Sequence, residues 1–252
     1  MGDFARVTAL VRAAAGRDRS ALLVDAGNLA YAANETSKRK QPAARLRAEF
    51  LAREIVKVPF GGGALGDSDL AWGPGGVAPK RLAVNLAPAP FVEPSRIATV
   101  GSIKIGVLGV ADPDLAAKAG LSAQDPATVA QQEITRLRAA GAEVIVLLAP
   151  VERQLARNLA RSTGADFVVV GKHVGQGMAR AESVGTAYVV APAEELQRVG
   201  RLEIVLRGKG SRTSEEQLVD AGGASQAKDR LTELDRTIAR MDADIVRWQK
   251  ET

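Results

Sequence analysis

The sequence predicts an α/β domain with a mixed β-sheet flanked by helices. Residues 126–148 and residues 153–170 each run in the order amphipathic helix, glycine and apolar strand. Two such units in succession favour parallel strands joined by crossover helices. Upstream of them, residues 96–110 contain two strand-like runs separated only by Gly101 and Ser102, which indicates an antiparallel hairpin. A sheet that combines both kinds of pairing is therefore expected.

The remaining elements follow from the spacing of apolar residues. Helices are predicted over residues 4–15 and 42–57, because apolar side chains recur there at helical spacing. In the second helix the apolar residues expected to share one face are Leu46, Phe50, Leu51 and Ile55. Further strands are predicted at residues 21–24, 82–86, 188–191 and 202–206, the last two as antiparallel neighbours. The glycine-rich residues 61–76 are expected to form a loop over one end of the sheet.

The composition is that of a protein with a full hydrophobic core. The chain has 252 residues, of which 46% are hydrophobic, and no run reaches the roughly 18 apolar residues of a membrane-spanning helix. It has no cysteine, which excludes disulfides and thiolate metal sites. The first residues lack the basic and apolar regions of an export signal. We therefore expect a soluble protein without a membrane span, in a compartment that the composition does not identify.

A net charge of +5 raises the question of a nucleic-acid partner. The basic residues are spread along the chain, their densest cluster is at residues 38–40, and aromatic residues make up only 4%. Stacking platforms and a continuous basic stripe are therefore both missing. We expect no nucleic-acid partner.

The character of the sequence changes after a first domain over residues 1–207. Residues 208–226 are polar and glycine-bearing, which is typical of a linker. Residues 227–252 carry apolar residues at alternating steps of three and four, namely Leu231, Leu234, Ile238, Met241, Ile245 and Trp248. This spacing is that of a coiled-coil seam, and it fits equally a helix that packs on its own domain. In the first case the segment joins a coiled-coil partner or a further C-terminal region of the protein.

A series of short motifs stands where the predicted strands end. In chain order these are DAGN at 25–28, GDSD at 66–69, VNL at 84–86, IKIGVLGV at 103–110, LLAP at 147–150 and GKHVG at 171–175. Open α/β sheets place their ligand-binding residues at such strand ends. The order and spacing of the motifs, over about residues 2–206, resemble those of the calcineurin-like metallophosphoesterases of the 5'-nucleotidase type.

The resemblance implies a layered fold of helix, sheet, sheet and helix, and a site for two divalent metal ions. In that family Mn²⁺, Zn²⁺ or Mg²⁺ ions activate water and neutralise the phosphate oxygens during hydrolysis. Their ligands come from the motifs D-x-H, D-A-G-D, G-N-H-E and G-G-H-x-H, and from a histidine at a further strand end. The D-x-H strand has no counterpart in this chain, so the resemblance also implies a domain that lacks one strand of its relatives.

Most of the other ligand positions hold different residues. Asn28 stands at the position of the bridging aspartate and lacks its charge. Asp67 replaces the asparagine ligand and retains the ability to bind a metal. Ser68 replaces the histidine acid, whose role a serine cannot fill at neutral pH. Pro150 stands in place of a histidine ligand.

His173 is the one family ligand kept unchanged, and it is the only histidine of the chain. Gly175 replaces its histidine partner. The degenerate metal site that remains comprises Asn28, Asp67 and His173, with His173 as the catalytic residue if the protein is active. Asn85, in the VNL motif, is a candidate for substrate binding. These donors are too few for two ions, so we expect no resident cofactor unless the protein is active with a divalent metal.

Each of these candidates also has a plain structural explanation. Asp25, Asp67 and Asp69 are residue types that form turns, and His173 fits a strand end without any ligand role. The glycines at 61–63 resemble a phosphate-binding loop, but the lysine and hydroxyl residue of a P-loop are missing.

Two functions are therefore weighed. The first is a noncatalytic scaffold or interaction module, and the second is a metal-dependent phosphoester or nucleotide hydrolase with a residual single-metal site. The resemblance further implies an extracytoplasmic or periplasmic location, because some relatives are exported and fused to other domains. It also implies that the chain is truncated before Met1.

Overall fold

The structure is a computed structural model that describes residues 4–15, 21–31, 38–70, 79–172, 177–178, 180–193 and 199–204. The chain divides into two units, Met1–Gly200 and Arg201–Thr252. The expected linker over 208–226 and the expected helix over 227–252 lie outside the described residues, so the description concerns the first unit.

The described part of the first unit contains ten strands and five α-helices. The strands are β1 Leu23–Asp25, β2 Phe60–Gly63, β3 Arg81–Leu82, β4 Val92–Glu93, β5 Ser95–Val100, β6 Ile103–Gly109, β7 Val144–Ala149, β8 Phe167–Val170, β9 Glu182–Val184 and β10 Ala187–Val190. The helices are α1 Phe4–Ala15, α2 Gln41–Ile55, α3 Pro113–Lys118, α4 Pro126–Ala139 and α5 Arg153–Ser162, and a short 3₁₀ helix, Lys38–Lys40, precedes α2. None of the described helices combines the length and apolar content needed to cross a membrane.

Six of the strands form one mixed sheet in the order β5-β6-β7-β8-β10-β9. The strands β6, β7, β8 and β10 are parallel neighbours, whereas β5 and β9 pair antiparallel with the strands beside them. Every residue of β7 is buried, as expected for a central strand covered on both faces. The mixed α/β sheet, its hairpin β5-β6 and its two crossover helices confirm the predicted fold class.

The crossover helices bury their apolar stripes against this sheet. Helix α4 begins after Asp125, whose carboxylate accepts a hydrogen bond of 2.8 Å from the backbone amide of Thr128. It then buries Ile134 and Leu137, and α5 buries Leu159, all in the same core cluster as β7 and β8. Burying an aliphatic side chain of this size contributes about 1.5 to 3 kcal/mol, so these contacts hold the two helices on the sheet.

The strands β1 to β4 form a second group beside the six-stranded sheet. The strands β1 and β2 are parallel, as are β3 and β4, and a bridge between Ala64 and Leu82 connects the two pairs. The two groups approach closely at glycines. A Cβ atom on Gly109 would lie 2.2 Å from the carbonyl oxygen of Leu82, and one on Gly171 would lie 2.0 Å from that of Ala26. These contacts bring the ends of strands from both groups to one edge.

The glycine run at 61–63 is the first correction to the sequence analysis. It was expected to be part of a loop, but it forms β2 and pairs with β1. Leu22 and Leu82 occupy the space that side chains on this strand would need. A Cβ on Gly61 would lie 2.8 Å from Leu22 Cδ2, and a Cβ on Gly62 would lie 2.6 Å from Leu82 Cδ1. Leucines from neighbouring segments thus supply the apolar surface that the strand itself lacks.

The buried face of α2 is the second correction. Leu51 and Ile55 are buried as expected, but Leu46 is 69% exposed and Phe50 is 50% exposed. Ala44 and Ala48 take their place at the core, in a cluster with Ala30 and Tyr31. Small side chains let this face of the helix pack against the segment that contains Ala30 and Tyr31. The hydrophobicity pattern alone does not indicate this contact.

The antiparallel neighbour of β10 is the third correction. It is β9, whereas residues 202–204 form no strand in the part of the chain that is described. Arg157 of α5 forms a bidentate pair with Glu182 of β9, with distances of 2.8 and 3.0 Å. This salt bridge to α5 helps to stabilise β9, a polar strand of three residues that the sequence does not predict.

The close contact at Gly171 gives a first prediction. The variant Gly171→Ala is expected to lower the free energy of unfolding by about 1 to 3 kcal/mol, because its Cβ would displace the backbone at Ala26. Chemical denaturation measures this change. The matched control is Gly200→Ala, whose Cβ would meet no atom nearer than 3.9 Å and which should be close to neutral. Equal stability of both variants would contradict the packing described.

Candidate functional site

The candidate site lies where loops follow the carboxyl ends of β1, β2, β6, β7 and β8. The loops after β1, β2 and β7 touch: a Cβ on Gly27 would lie 3.0 Å from Pro150 Cβ and 3.1 Å from Gly66 Cα. Gly27 itself has a φ of 118°, which L side chains rarely adopt. This backbone conformation therefore favours glycine at the centre of the site.

Asp69 connects the loops after β1 and β2. Its side chain is fully buried. The carboxylate accepts three backbone hydrogen bonds, from Asn28 at 3.1 Å, Ala30 at 3.0 Å and Gly66 at 2.9 Å. It also accepts one from Arg81 Nη2 at 3.3 Å. Charge-assisted bonds to backbone amides are among the stronger hydrogen bonds in proteins, so Asp69 serves the loop structure.

Asn28 is held by the loop that carries Asp67 and Ser68. It is the one residue other than glycine with a positive φ, 66°, among the described residues, and asparagine is one of the few types that accept this conformation readily. Its Oδ1 accepts a hydrogen bond from the backbone amide of Ser68 at 2.8 Å and lies 2.9 Å from the Ser68 hydroxyl. The same hydroxyl also donates to the carbonyl oxygen of Tyr31. The amide oxygen of Asn28 is thus engaged within the protein.

Arg81 and Asp25 form a pair of opposite charges behind these loops. Arg81 is fully buried, and its Nη1 lies 3.9 Å from Asp25 Oδ2. Among the described residues its Nε and Nη1 atoms have no hydrogen-bond partner. Gly63 makes room for the pair, because a Cβ there would lie 2.9 Å from Arg81 Nη1 and 3.0 Å from Asp25 Oδ2.

The pKa of Asp25 reflects this environment. Its side chain is 19% exposed, and burial raises its pKa to about 7 although the charge of Arg81 acts in the opposite direction. The charge of Asp69 adds to the increase, and the hydrogen bond from the backbone amide of Gly27 opposes it. Asp25 is therefore poised to change charge near neutral pH.

A second group of charges lies at the same edge and is named here the Lys172 cluster. It comprises Lys172, Asp67, Asp112 and Glu152. The ammonium group of Lys172 lies 2.7 Å from Asp112 Oδ2, 3.7 Å from Asp67 Oδ2 and 4.0 Å from Glu152 Oε1. One cation thus faces three carboxylates that come from three different loops.

The pKa values within the cluster follow from these contacts. The hydrogen bond to Asp112 raises the pKa of Lys172, and the charges of Asp67, Asp112 and Glu152 act in the same direction. Burial raises the pKa of Asp112, but the hydrogen bonds from Lys172 and from the backbone amide of Asp114 outweigh it and hold the pKa below its ordinary value. Both partners of the shortest pair are therefore charged at neutral pH.

Of the three predicted metal ligands, the structure describes two. Asn28 and Asp67 lie on adjoining loops, where Asn28 Oδ1 accepts a hydrogen bond from the backbone amide of Ser68. His173 lies outside the described residues, as does Gly175. Asn85 is buried, and its side-chain amide exchanges hydrogen bonds with the backbone of Ala111 at 2.7 and 2.9 Å. This geometry favours a structural role for Asn85 over contact with a substrate.

The described residues do not fit a pair of metal ions. In the described ranges no group of three or more carboxylates or histidines forms a metal site, and the three carboxylates of the Lys172 cluster already face an ammonium group. The amide oxygen of Asn28 is engaged by Ser68, and Asp67 faces the ammonium group of Lys172 at 3.7 Å. A positive group already next to the carboxylate opposes the binding of another cation.

The sequence analysis missed Arg81, Asp112 and Lys172. Only Asp112 had a detectable signal, because an aspartate before a proline is a helix-start pattern, and here it caps α3. Lys172 precedes the histidine that drew attention, and Arg81 stands at the start of a strand.

The buried Asp69 gives a second prediction. The variant Asp69→Asn is expected to lower the free energy of unfolding by about 3 to 5 kcal/mol. It leaves the buried Arg81 with only the more distant carboxylate of Asp25, at 3.9 Å, and it turns an amide NH₂ towards backbone N–H groups. Urea denaturation measures the loss. Glu49→Gln, the same chemical change at an exposed position of α2, should stay within about 0.5 kcal/mol of the parent protein. A similar small effect at both positions would be evidence against the role assigned to Asp69.

The raised pKa of Asp25 gives a third prediction. The pKa of Asp25 is higher in the folded protein than its ordinary 3.8, so the folded state resists ionisation of this group. The free energy of unfolding therefore falls as the pH rises from about 4 to about 7. Asp25→Asn should therefore raise the melting temperature relative to the parent protein at pH 8 and much less at pH 4. Thermal melts across this range measure the difference, with Asp114→Asn as an exposed control. A difference that does not depend on pH would refute the assignment.

Several solved structures are similar to this chain in fold. Sulfate thiohydrolase SoxB from Thermus thermophilus matches with a TM-score of 0.60 and 24% identity, covering 77% of this chain and 38% of SoxB. A 5'-nucleotidase precursor, also from Thermus thermophilus, matches with a TM-score of 0.59 and 21% identity, covering 75% of this chain and 43% of its own. The calcineurin-like phosphoesterase YfkN from Bacillus subtilis matches with a TM-score of 0.55 and 19% identity, covering 76% of this chain and 73% of YfkN.

The chain spans less than half of the SoxB and 5'-nucleotidase chains that it matches. No protein-family model and no curated protein sequence matches it. At these identities the likeness concerns the fold, and it agrees with the order of motifs at the strand ends. The protein therefore has the fold of the calcineurin-like phosphoesterases, in the form found in 5'-nucleotidases.

Proposed function

We propose that this domain is a noncatalytic relative of the 5'-nucleotidase-type phosphoesterases and acts as a scaffold or interaction module. The observation that carries the proposal is that the polar groups at the candidate site are engaged with each other. The polar side chains there bind one another, and a lysine ammonium stands among the carboxylates.

The chemistry of phosphoester hydrolysis supports this proposal. Two metal ions a few Å apart activate water and neutralise the charge that develops on the phosphate oxygens. Such ions need several anionic or imidazole ligands, each with a free lone pair directed at the metal. Asn28 offers a neutral amide oxygen that already accepts a hydrogen bond from the backbone amide of Ser68. Ser68 has no group that donates a proton to a leaving oxygen at neutral pH.

The alternative is a phosphoester or nucleotide hydrolase with one residual metal ion. Its support is the fold, together with the position of Asn28 and Asp67 on adjoining loops and the retained His173 in the sequence. In this alternative Asn28, Asp67 and His173 hold a single Mn²⁺, Zn²⁺ or Mg²⁺ ion, which polarises a phosphate oxygen, and Asn85 is the candidate substrate contact. Lys172 would have to leave Asp67 for the ion to bind.

The partner and the location belong to the same proposal. An interaction module needs a surface for another chain, and residues 227–252 have the heptad-like spacing that coiled coils use. We propose that this segment joins a coiled-coil partner or a further part of the same protein. An extracytoplasmic location is proposed from the resemblance, and one of the similar structures is described as a 5'-nucleotidase precursor.

Metal analysis and a hydrolysis assay test the proposal together, as a fourth prediction. Protein purified with added Mn²⁺ and then desalted should contain far less than one metal ion per chain. Its rate on p-nitrophenyl phosphate and on nucleoside monophosphates should stay at least about 10³-fold below a typical enzymatic kcat of about 10 s⁻¹. The phosphoesterase YfkN serves as the positive control under the same conditions.

The variant His173→Ala separates the two functions. The proposal predicts that it changes neither the metal content nor the residual rate. One tightly bound ion per chain, together with a metal-dependent turnover that His173→Ala abolishes, would establish the hydrolase instead.

A further inference from the structure

Four loops bring their charged side chains together in the Lys172 cluster. Asp67 follows β2, Asp112 follows β6, Glu152 follows β7, and Lys172 follows β8. Lys172 is 20% exposed and Asp112 is 10% exposed, so the shortest pair of the cluster, at 2.7 Å, is largely shielded from solvent. Asp67 and Glu152 are more exposed, at 46% and 60%, and stand farther from the ammonium group.

The carboxylates of this cluster need a positive charge between them. Carboxylates that lie within 4.0 Å of one ammonium group repel one another, and the repulsion grows as water is removed. Asp112 cannot turn away easily, because its Oδ1 accepts the backbone hydrogen bond of Asp114 at 3.0 Å and so caps helix α3. A cation beside this fixed carboxylate offsets the repulsion from the other carboxylates.

Two chemical species can supply that charge at such an edge, a metal ion or a side chain. The fold's hydrolases are expected from the resemblance to use metal ions there. In this chain the ammonium group of Lys172, a residue just after β8, lies next to Asp112 and Asp67. A tethered ammonium needs no metal supply and is not removed by a chelator.

We propose that the Lys172 ammonium is the resident cation of this edge and takes the place of a divalent ion in holding the strand-end loops together. It joins the loops after β2, β6, β7 and β8 by pairing with one carboxylate from each of the first three. This inference rests on the proposed function, because a metal ion bound at Asp67 would have to displace the Lys172 ammonium group.

The variant Lys172→Met tests the inference, as a fifth prediction. Methionine keeps most of the side-chain volume and removes the charge, so the three carboxylates are left facing one another. In EDTA the melting temperature should fall by roughly 4 to 10 °C, as expected for loss of a shielded charge pair in a domain of this size. Addition of millimolar Mn²⁺ or Ca²⁺ should restore at least half of that loss, because a free cation now replaces the tethered one. The parent protein should not respond to either ion.

The control is Lys57→Met, the same substitution at an exposed pair on the surface. Lys57 Nζ lies 2.6 Å from Glu54 Oε1, yet surface pairs contribute little to stability. This variant should change the melting temperature by less than about 2 °C and should not respond to cations. If Lys172→Met does not accumulate as folded protein, refolding from urea with and without Mn²⁺ replaces the melt, and recovery only with Mn²⁺ is expected.

The outcomes distinguish this inference from the proposed function. Lys172→Met that is as stable as the parent protein, or that gains nothing from Mn²⁺ or Ca²⁺ in either assay, overturns the inference and leaves the noncatalytic function intact. Stoichiometric Mn²⁺ in the parent protein, with a rise in its melting temperature, overturns both.

Discussion

Neutralisation of buried carboxylates by side chains of the same domain is the constraint on which this site depends. Asp69 is buried and pairs with Arg81, and Asp112 is nearly buried and pairs with Lys172. The first pair joins residues 12 positions apart in the sequence, and the second joins residues 60 positions apart. Removing water from a carboxylate costs several kcal/mol unless a charge partner and hydrogen bonds replace it, so these loops hold their positions only while both partners are present.

This constraint connects the fold to the proposed loss of catalysis. The parallel strands bring the carboxyl ends of β6, β7 and β8 to one edge, which is where α/β sheets place their chemistry. In this chain the polar groups at that edge face each other. Donor atoms that are already paired would have to break good hydrogen bonds before binding an ion. The same edge that supports hydrolysis in the phosphoesterase fold is therefore proposed to serve stability here.

The sequence predicted the regular part of the fold well and the site only in part. The two helix-glycine-strand units and the hairpin were visible because their apolar periodicity is strong, and the buried strand β7 follows from the pattern alone. Strand β2 was missed because its glycines depend on Leu22 and Leu82 for packing, which is a tertiary effect. The role of Lys172 could not be predicted, because Asp67, Asp112 and Glu152 are far from it in the sequence or lack a motif that links them, and only the fold brings them together. His173, the residue on which the hydrolase alternative depends most, lies outside the described residues.

Diffraction from crystals grown with Mn²⁺, measured at the manganese absorption edge, tests the central claim most directly. Anomalous scattering locates bound manganese without reference to activity. The account predicts no anomalous peak near Asn28, Asp67 or His173, and electron density for the Lys172 ammonium group within hydrogen-bond distance of Asp112. A pair of fully coordinated manganese ions at this edge, with Lys172 displaced, would contradict it.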